Sequence, residues 1–117
     1  MTDLVAFLST GKGSWAQVSS VINGEDWKKV YLLTNDFGKE KFKPNEKTEL
    51  IVLDMNLDEE KMRDQITAAL KKKISGDVAV NLISGSGKEH MALLGALTKC
   101  GVGIRFVTST EQGIKEL

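Results

Sequence analysis

Apolar residues fall into five short runs: residues 4–9 (LVAFLS), 29–34 (KVYLLT), 49–54 (ELIVLD), 78–83 (VAVNLI) and 104–108 (IRFVT). Runs of this length, bounded by Gly, Ser, Asn and Asp, predict strands buried on both faces. Between them the apolar period lengthens. Ser14, with Gln17 three positions on, predicts a capping box. Trp15, Val18, Val21 and Ile22 then recur at helical spacing until Asn23 and Gly24. Residues 58–74 put Met62, Ile66, Ala69, Leu70 and Ile74 on one helical face and stop at Ser75 and Gly76. Ser86 and Glu89 predict a second capping box, for a helix that reaches Cys100 and ends at Gly101. Residues 35–48 are polar, hold the sole proline, Pro44, and are too long for an ordinary connection. They predict a truncated crossover helix or a lid, with Phe37 and Phe42 as anchors. Residues 110–117 predict a short final helix.

Strands that alternate with helices pair in parallel through right-handed crossovers. The expected fold is therefore a three-layer α/β domain over residues 1–117, with a mostly parallel five-stranded sheet of order 3-2-1-4-5. No repeat, linker or low-complexity segment interrupts it.

Composition narrows the function. Lys plus Arg and Asp plus Glu are both 16, so net charge is zero and diffuse attraction to duplex nucleic acid is not expected. One cysteine, Cys100, forms no internal disulfide, which suits a reducing compartment. There is no apolar stretch of about 18 residues for a membrane span. Asp3 before the first apolar run, with no basic segment, argues against a secretory signal. A cytoplasmic protein is expected. One histidine and one cysteine without spaced partners supply no metal-ligand set, and no cofactor is expected.

The 11 glycines are more informative. Ser9-Thr10-Gly11-Lys12-Gly13-Ser14 follows the first strand, and Ser84-Gly85-Ser86-Gly87-Lys88 follows the fourth. In the expected order these strands are neighbours whose crossovers leave in opposite directions, so both loops lie at the crevice where open α/β sheets bind ligands. Two helix N-termini, close-approaching glycine backbone, hydroxyls and two lysines there predict an anion site, most simply for a phosphate or phosphodiester. Tight turns with solubilising lysines are the plainer reading of either loop alone; their convergence favours the site.

A P-loop is not expected, because Leu82 and Glu89 stand where Walker A needs Gly and Ser or Thr. Gly11-x-Gly13-x-x-Ala16, with Asp36 past the second strand, fits the dinucleotide fingerprint and keeps an NAD or FAD module as an alternative. A non-catalytic interaction subunit with structural glycine loops is the other. His90 sits in the first turn after the second loop, within reach for proton donation, although a solvated helix position explains it as well. Cys100 reads as packing, Lys71 to Lys73 as a solvated helix end, and Trp15 as packing more than as a base-stacking platform. Asp36 and Asp54, at the ends of strands two and three, are candidates to hold a ribose hydroxyl.

The run Asn81-Leu82-Ile83-Ser84-Gly85-Ser86-Gly87-Lys88, on to Met91, resembles the strand-four motif of CRISPR-associated Rossmann-fold (CARF) domains, in which Asn, Ser or Thr, two glycines, Thr and Lys precede a Met. Ser9 to Ser14 is placed like that family's first ligand loop. The chain departs from the pattern in one extra residue between Asn81 and Ser84, in Gly87 where Thr is common, in Met91 one position late, and in having no downstream effector domain. The resemblance implies a Rossmann-like fold that binds a cyclic oligoadenylate across a homodimer. It also implies metal-independent ring-nuclease activity as one outcome, since placement of the ligand's own 2′-hydroxyl supplies most of the chemistry. By position, Lys88 would stabilise charge on phosphorus and Ser9 or Ser14 would orient. Thr10, Gly11, Lys12, Gly13, Ser84, Gly85, Ser86, Gly87 and Asp36 would bind the ligand.

Overall fold

The computed structural model describes residues 2–9 and 12–117, with the side chain of Lys12 excepted. Ten elements follow one another: β1 (Asp3–Phe7), α1 (Trp15–Asn23), β2 (Val30–Thr34), α2 (Asp36–Lys41), β3 (Thr48–Val52), α3 (Glu59–Leu70), β4 (Asp77–Asn81), α4 (Gly87–Cys100), β5 (Gly103–Thr110) and β6 (Gly113–Glu116), with a 3₁₀ turn at Lys12–Ser14. The sheet has six strands in the order β3-β2-β1-β4-β5-β6. The first five are parallel; β6 runs antiparallel to β5. The expected order is thus present, with an additional strand. It is compatible with a Rossmann-like fold.

Alternation along the strands builds two cores. Val5, Phe7, Tyr31, Leu33, Val78 and Val80 face α3 and α4, where Met62, Ile66, Leu70, Leu93 and Leu97 meet them. Leu4, Ala6, Leu8, Val30 and Leu32 face α1, packing on Val18, Val21, Ile22 and Trp27. The central strands β1 and β2 are therefore apolar on both faces, which is why their sequences show no alternation.

Residues 35–48 hold the truncated helix rather than a lid. Asn35 caps α2 by accepting the Gly38 N–H at 2.9 Å. Phe37 and Phe42 are indeed anchors, their rings 6.0 and 5.8 Å from that of Trp15.

The expected final helix is instead the strand β6. Gly113, at φ +100°, closes a tight turn in which Thr110 Oγ1 donates to the Gly113 carbonyl at 2.7 Å. A hairpin draws its backbone bonds from β5 and packs Ile114 against the α1-side core, partners that a helix over these residues would forgo. Among the described residues no helix is long and apolar enough to cross a membrane.

Candidate functional site

β1 and β4 are hydrogen-bonded neighbours, and the two glycine loops leave their carboxyl ends to opposite faces of the sheet. The loops touch. Ser84 Oγ accepts the Ser9 backbone N–H at 2.8 Å and the Ser14 hydroxyl at 2.8 Å. Ser84 is 2 % exposed while Ser9 and Ser14 are half-buried, and each bond is worth about 1 kcal/mol net but costs more if one partner is removed. Trp15 Nε1 donates to the Ser9 carbonyl at 2.8 Å, and Thr34 Oγ1 to the Leu8 carbonyl at 2.9 Å, which pins the end of β1 on two further sides.

Ser14 does not form the expected capping box. It lies in αR geometry at the end of the 3₁₀ turn, makes no side-chain cap bond, and spends its hydroxyl on Ser84. In the second loop the box is complete: Ser86 Oγ accepts the Glu89 N–H at 3.2 Å, and Glu89 Oε1 accepts the Ser86 N–H at 2.8 Å. The amides of Gly87 and Lys88 precede the first intrahelical bond of α4 and point out of its N-terminus. Glu89 therefore places a carboxylate beside the end of the helix dipole that an anion would seek.

Gly85 is the one loop glycine that its surroundings demand among those described. Its φ is +107°, and a Cβ there would come within 2.9 Å of His90 Nε2 and 3.2 Å of Phe7 Cβ. His90 Nε2 lies 2.7 Å from the Ser84 carbonyl. A carbonyl only accepts, so this nitrogen carries the proton. The histidine ring, edge-on to Phe7, thus locks the loop instead of presenting a free proton donor. Asn81 does the same on the other side, donating to the Val107 carbonyl at 2.9 Å and accepting the Ile83 N–H at 3.1 Å.

Lys88, expected by position to stabilise charge on phosphorus, has partners within the chain. Its Nζ donates to the Met55 and Leu57 carbonyls at 3.0 and 2.9 Å, across the loop that follows β3. The side chain thus ties α4 to that loop. Gly13 and Gly87 have open space where a Cβ would stand. Thr10, Gly11 and the Lys12 side chain lie outside the described residues. Asp36 stands apart from the junction, at the mouth of a crevice of about 610 Å³ over the carboxyl ends of β2 and β3, shared with Phe37, Asp54, Met55, Asn56 and Gln65. Asn56 and Gln65 carried no signal in the sequence, because neither belongs to a motif or an apolar period.

Trp27 and Cys100 lie away from the junction's hydrogen bonds. Trp27 is 5 % exposed and donates to the Val21 carbonyl at 2.9 Å. Burial pushes the Cys100 thiol up, the opposite of an activated nucleophile. Among the described residues no group of His, Cys, Asp or Glu could hold a metal ion.

Fold and junction together define an α/β protein with a mostly parallel sheet and two glycine loops joined at its switch point. The chain matches no family model, no curated protein and no solved structure.

Proposed function

We propose that this is a Rossmann-like domain that binds a phosphodiester second messenger, a cyclic oligoadenylate, over the joined glycine loops, as a homodimer. The observation that carries the reading is the Ser84 junction, which brings loops 75 and 70 residues apart in the chain to one place at the carboxyl ends of β1 and β4. Open amides at the start of α4 and the glycine surface of residues 85–87 supply the anion contacts. The resemblance of Asn81 to Lys88 to the CARF motif supplies the ligand class. Zero net charge is no obstacle, since a helix N-terminus acts as about half a positive charge placed locally. With the Lys88 ammonium held by two carbonyls, binding is proposed, not cleavage.

Calorimetric titration with cyclic tetra- and hexa-adenylate, with NAD as the comparison, tests this. Micromolar or tighter binding of a cyclic oligoadenylate is expected. Gly87→Asp adds a carboxylate at a sterically open first-turn position, where it suits the helix but repels phosphate, so the variant should stay folded and lose binding. Glu89→Gln keeps a capping-box residue without the charge and should tighten binding several-fold. Preference for NAD, or indifference to both substitutions, would sink the reading. Sizing chromatography should report about 26 kDa, twice the 12.8 kDa chain.

A further inference from the structure

We infer that the outer edge of β3 pairs with the same edge of a second copy of the chain, antiparallel about a two-fold axis beside Ile51, so that one sheet runs through both copies. The proposed function names a homodimer and leaves its surfaces open. The choice of surface rests on the strands themselves and not on the ligand.

The sheet ends in β3 on one side and in β6 on the other. A bare edge strand is a template for another chain unless charge or brevity blunts it. β6 is blunted. It is four residues long, its Lys115 and Glu116 are exposed, and Glu116 is held in an ion pair by Arg105 of the same hairpin. β3 reads Thr-Glu-Leu-Ile-Val, and no charge interrupts it from Leu50 to Leu53. Its ladder with β2 fixes which backbone groups are left over. The Val30 N–H donates to the Lys47 carbonyl at 3.0 Å, and the Leu53 N–H to the Thr34 carbonyl at 2.7 Å. Residues 47, 49, 51 and 53 therefore turn their backbone groups to β2, while Leu50 and Val52 direct theirs out of the sheet. Both of these are half-buried.

A two-fold axis normal to the sheet keeps each face on its own side, so only residues that share a face can be paired across it. Setting Ile51 opposite Ile51 of the partner places Leu50 opposite Val52 of the partner, and each such pair exchanges two N–H···O=C bonds. The isoleucines then form the closely spaced kind of pair, in which β-branched side chains add to strand pairing. Glu49 meets Leu53 of the partner, so no like charges stand opposite each other, and Asp54 of the partner falls within one residue of Lys47. For β6 the outward groups belong to Ile114 and Glu116, since the Leu117 N–H donates to the Phe106 carbonyl. The register that uses both of them sets Lys115 against Lys115 of the partner, which is unfavourable. Backbone and charge thus both select β3. Because the paired strands are antiparallel, the glycine loops of the two copies open at opposite ends of the joined sheet, and each chain holds its ligand alone.

The test follows the mass of the full chain by sedimentation equilibrium across a roughly hundredfold range of concentration, over which a weak dimer assembles by mass action. A rise from 12.8 kDa to about 26 kDa is expected, and with it growing protection of the Leu50 and Val52 amides from hydrogen exchange. Val52→Pro removes an outward N–H and spares the ladder to β2, and Val52→Lys keeps the N–H but charges the edge. Each should raise the dimer Kd at least about 10-fold, whereas Glu116→Pro, the matching change on β6, should leave it unaltered. A monomer at every concentration overturns the proposal. So does a dimer whose Leu50 and Val52 amides exchange as in the monomer, or one that persists in folded Val52→Pro. Cyclic tetra-adenylate that still binds monomeric Val52→Lys supports a site complete in one chain, and binding lost together with the dimer overturns that placement. Should the edge dimer form while no cyclic oligoadenylate binds, the phosphodiester reading falls and the interface stands. A wild-type monomer that binds the ligand gives the reverse.

Discussion

The two glycine loops are near copies in sequence and behave differently in the structure. Each follows a buried parallel strand, and each carries a serine, Ser14 or Ser86, with a Gln or Glu three residues later. After β4 that signature closes on itself as a capping box, and α4 starts directly at Gly87. After β1 a 3₁₀ turn intervenes, and Ser14 turns its hydroxyl away from its own helix to Ser84. A capping signature is a local option, taken only when no stronger partner competes. Ser84, buried and offering one oxygen to both Ser9 and Ser14, is such a partner. One loop is held by its own sequence, the other by its twin.

The largest expected effect comes from Gly85→Ala. Positive φ and the crowding of His90 and Phe7 together should cost about 2–4 kcal/mol, readable in urea unfolding. A cost under about 1 kcal/mol would mean that the second loop is not locked. Next is Ser84→Ala, which removes the oxygen that accepts both the Ser9 N–H and the Ser14 hydroxyl and should cost about 1–3 kcal/mol. Ser14→Ala should cost less, about 1 kcal/mol, and the double variant should cost less than the sum, since the two share one bond. Full additivity would separate the loops energetically.

Ser86→Ala removes only a local cap and should cost about 1 kcal/mol, with no coupling to Ser14→Ala. The smallest effect belongs to Gly87→Ala, which meets open space and should be neutral or stabilising by up to about 1 kcal/mol. At the far end of α4, burial raises the Cys100 pKa. Iodoacetamide should therefore react slowly near pH 8 and faster only above pH 9. Ser86→Ala should leave that profile unchanged if fraying stays at the helix start.

Features that depend on neighbours in the chain were legible. The strand runs, the α3 period of Met62, Ile66 and Leu70, the Ser86 cap and the Gly101 stop all appear where the pattern puts them. The parallel order of the first five strands follows from alternation and crossover handedness. The boundaries shift by a few residues, as where α3 ends at Leu70.

Other features depended on partners that no local pattern names. The hairpin of β5 and β6 was decided by the availability of β5 as a pairing edge. Lys88 carries the same charge in any reading of its loop, but its acceptors, Met55 and Leu57, lie 33 and 31 residues earlier. The crevice between Asp36 and Gln65 exists only because β2 and β3 pair and α3 returns beside them. By itself, then, the sequence determined the first five strands, the helices α1, α3 and α4 between them, and the capping of α4, because contacts within a turn or a period decide those. The tertiary structure decided which serine caps and which clasps, where Lys88 points and what the last eight residues become. Those choices are competitions between a local bond and a distant one, and packing sets the outcome.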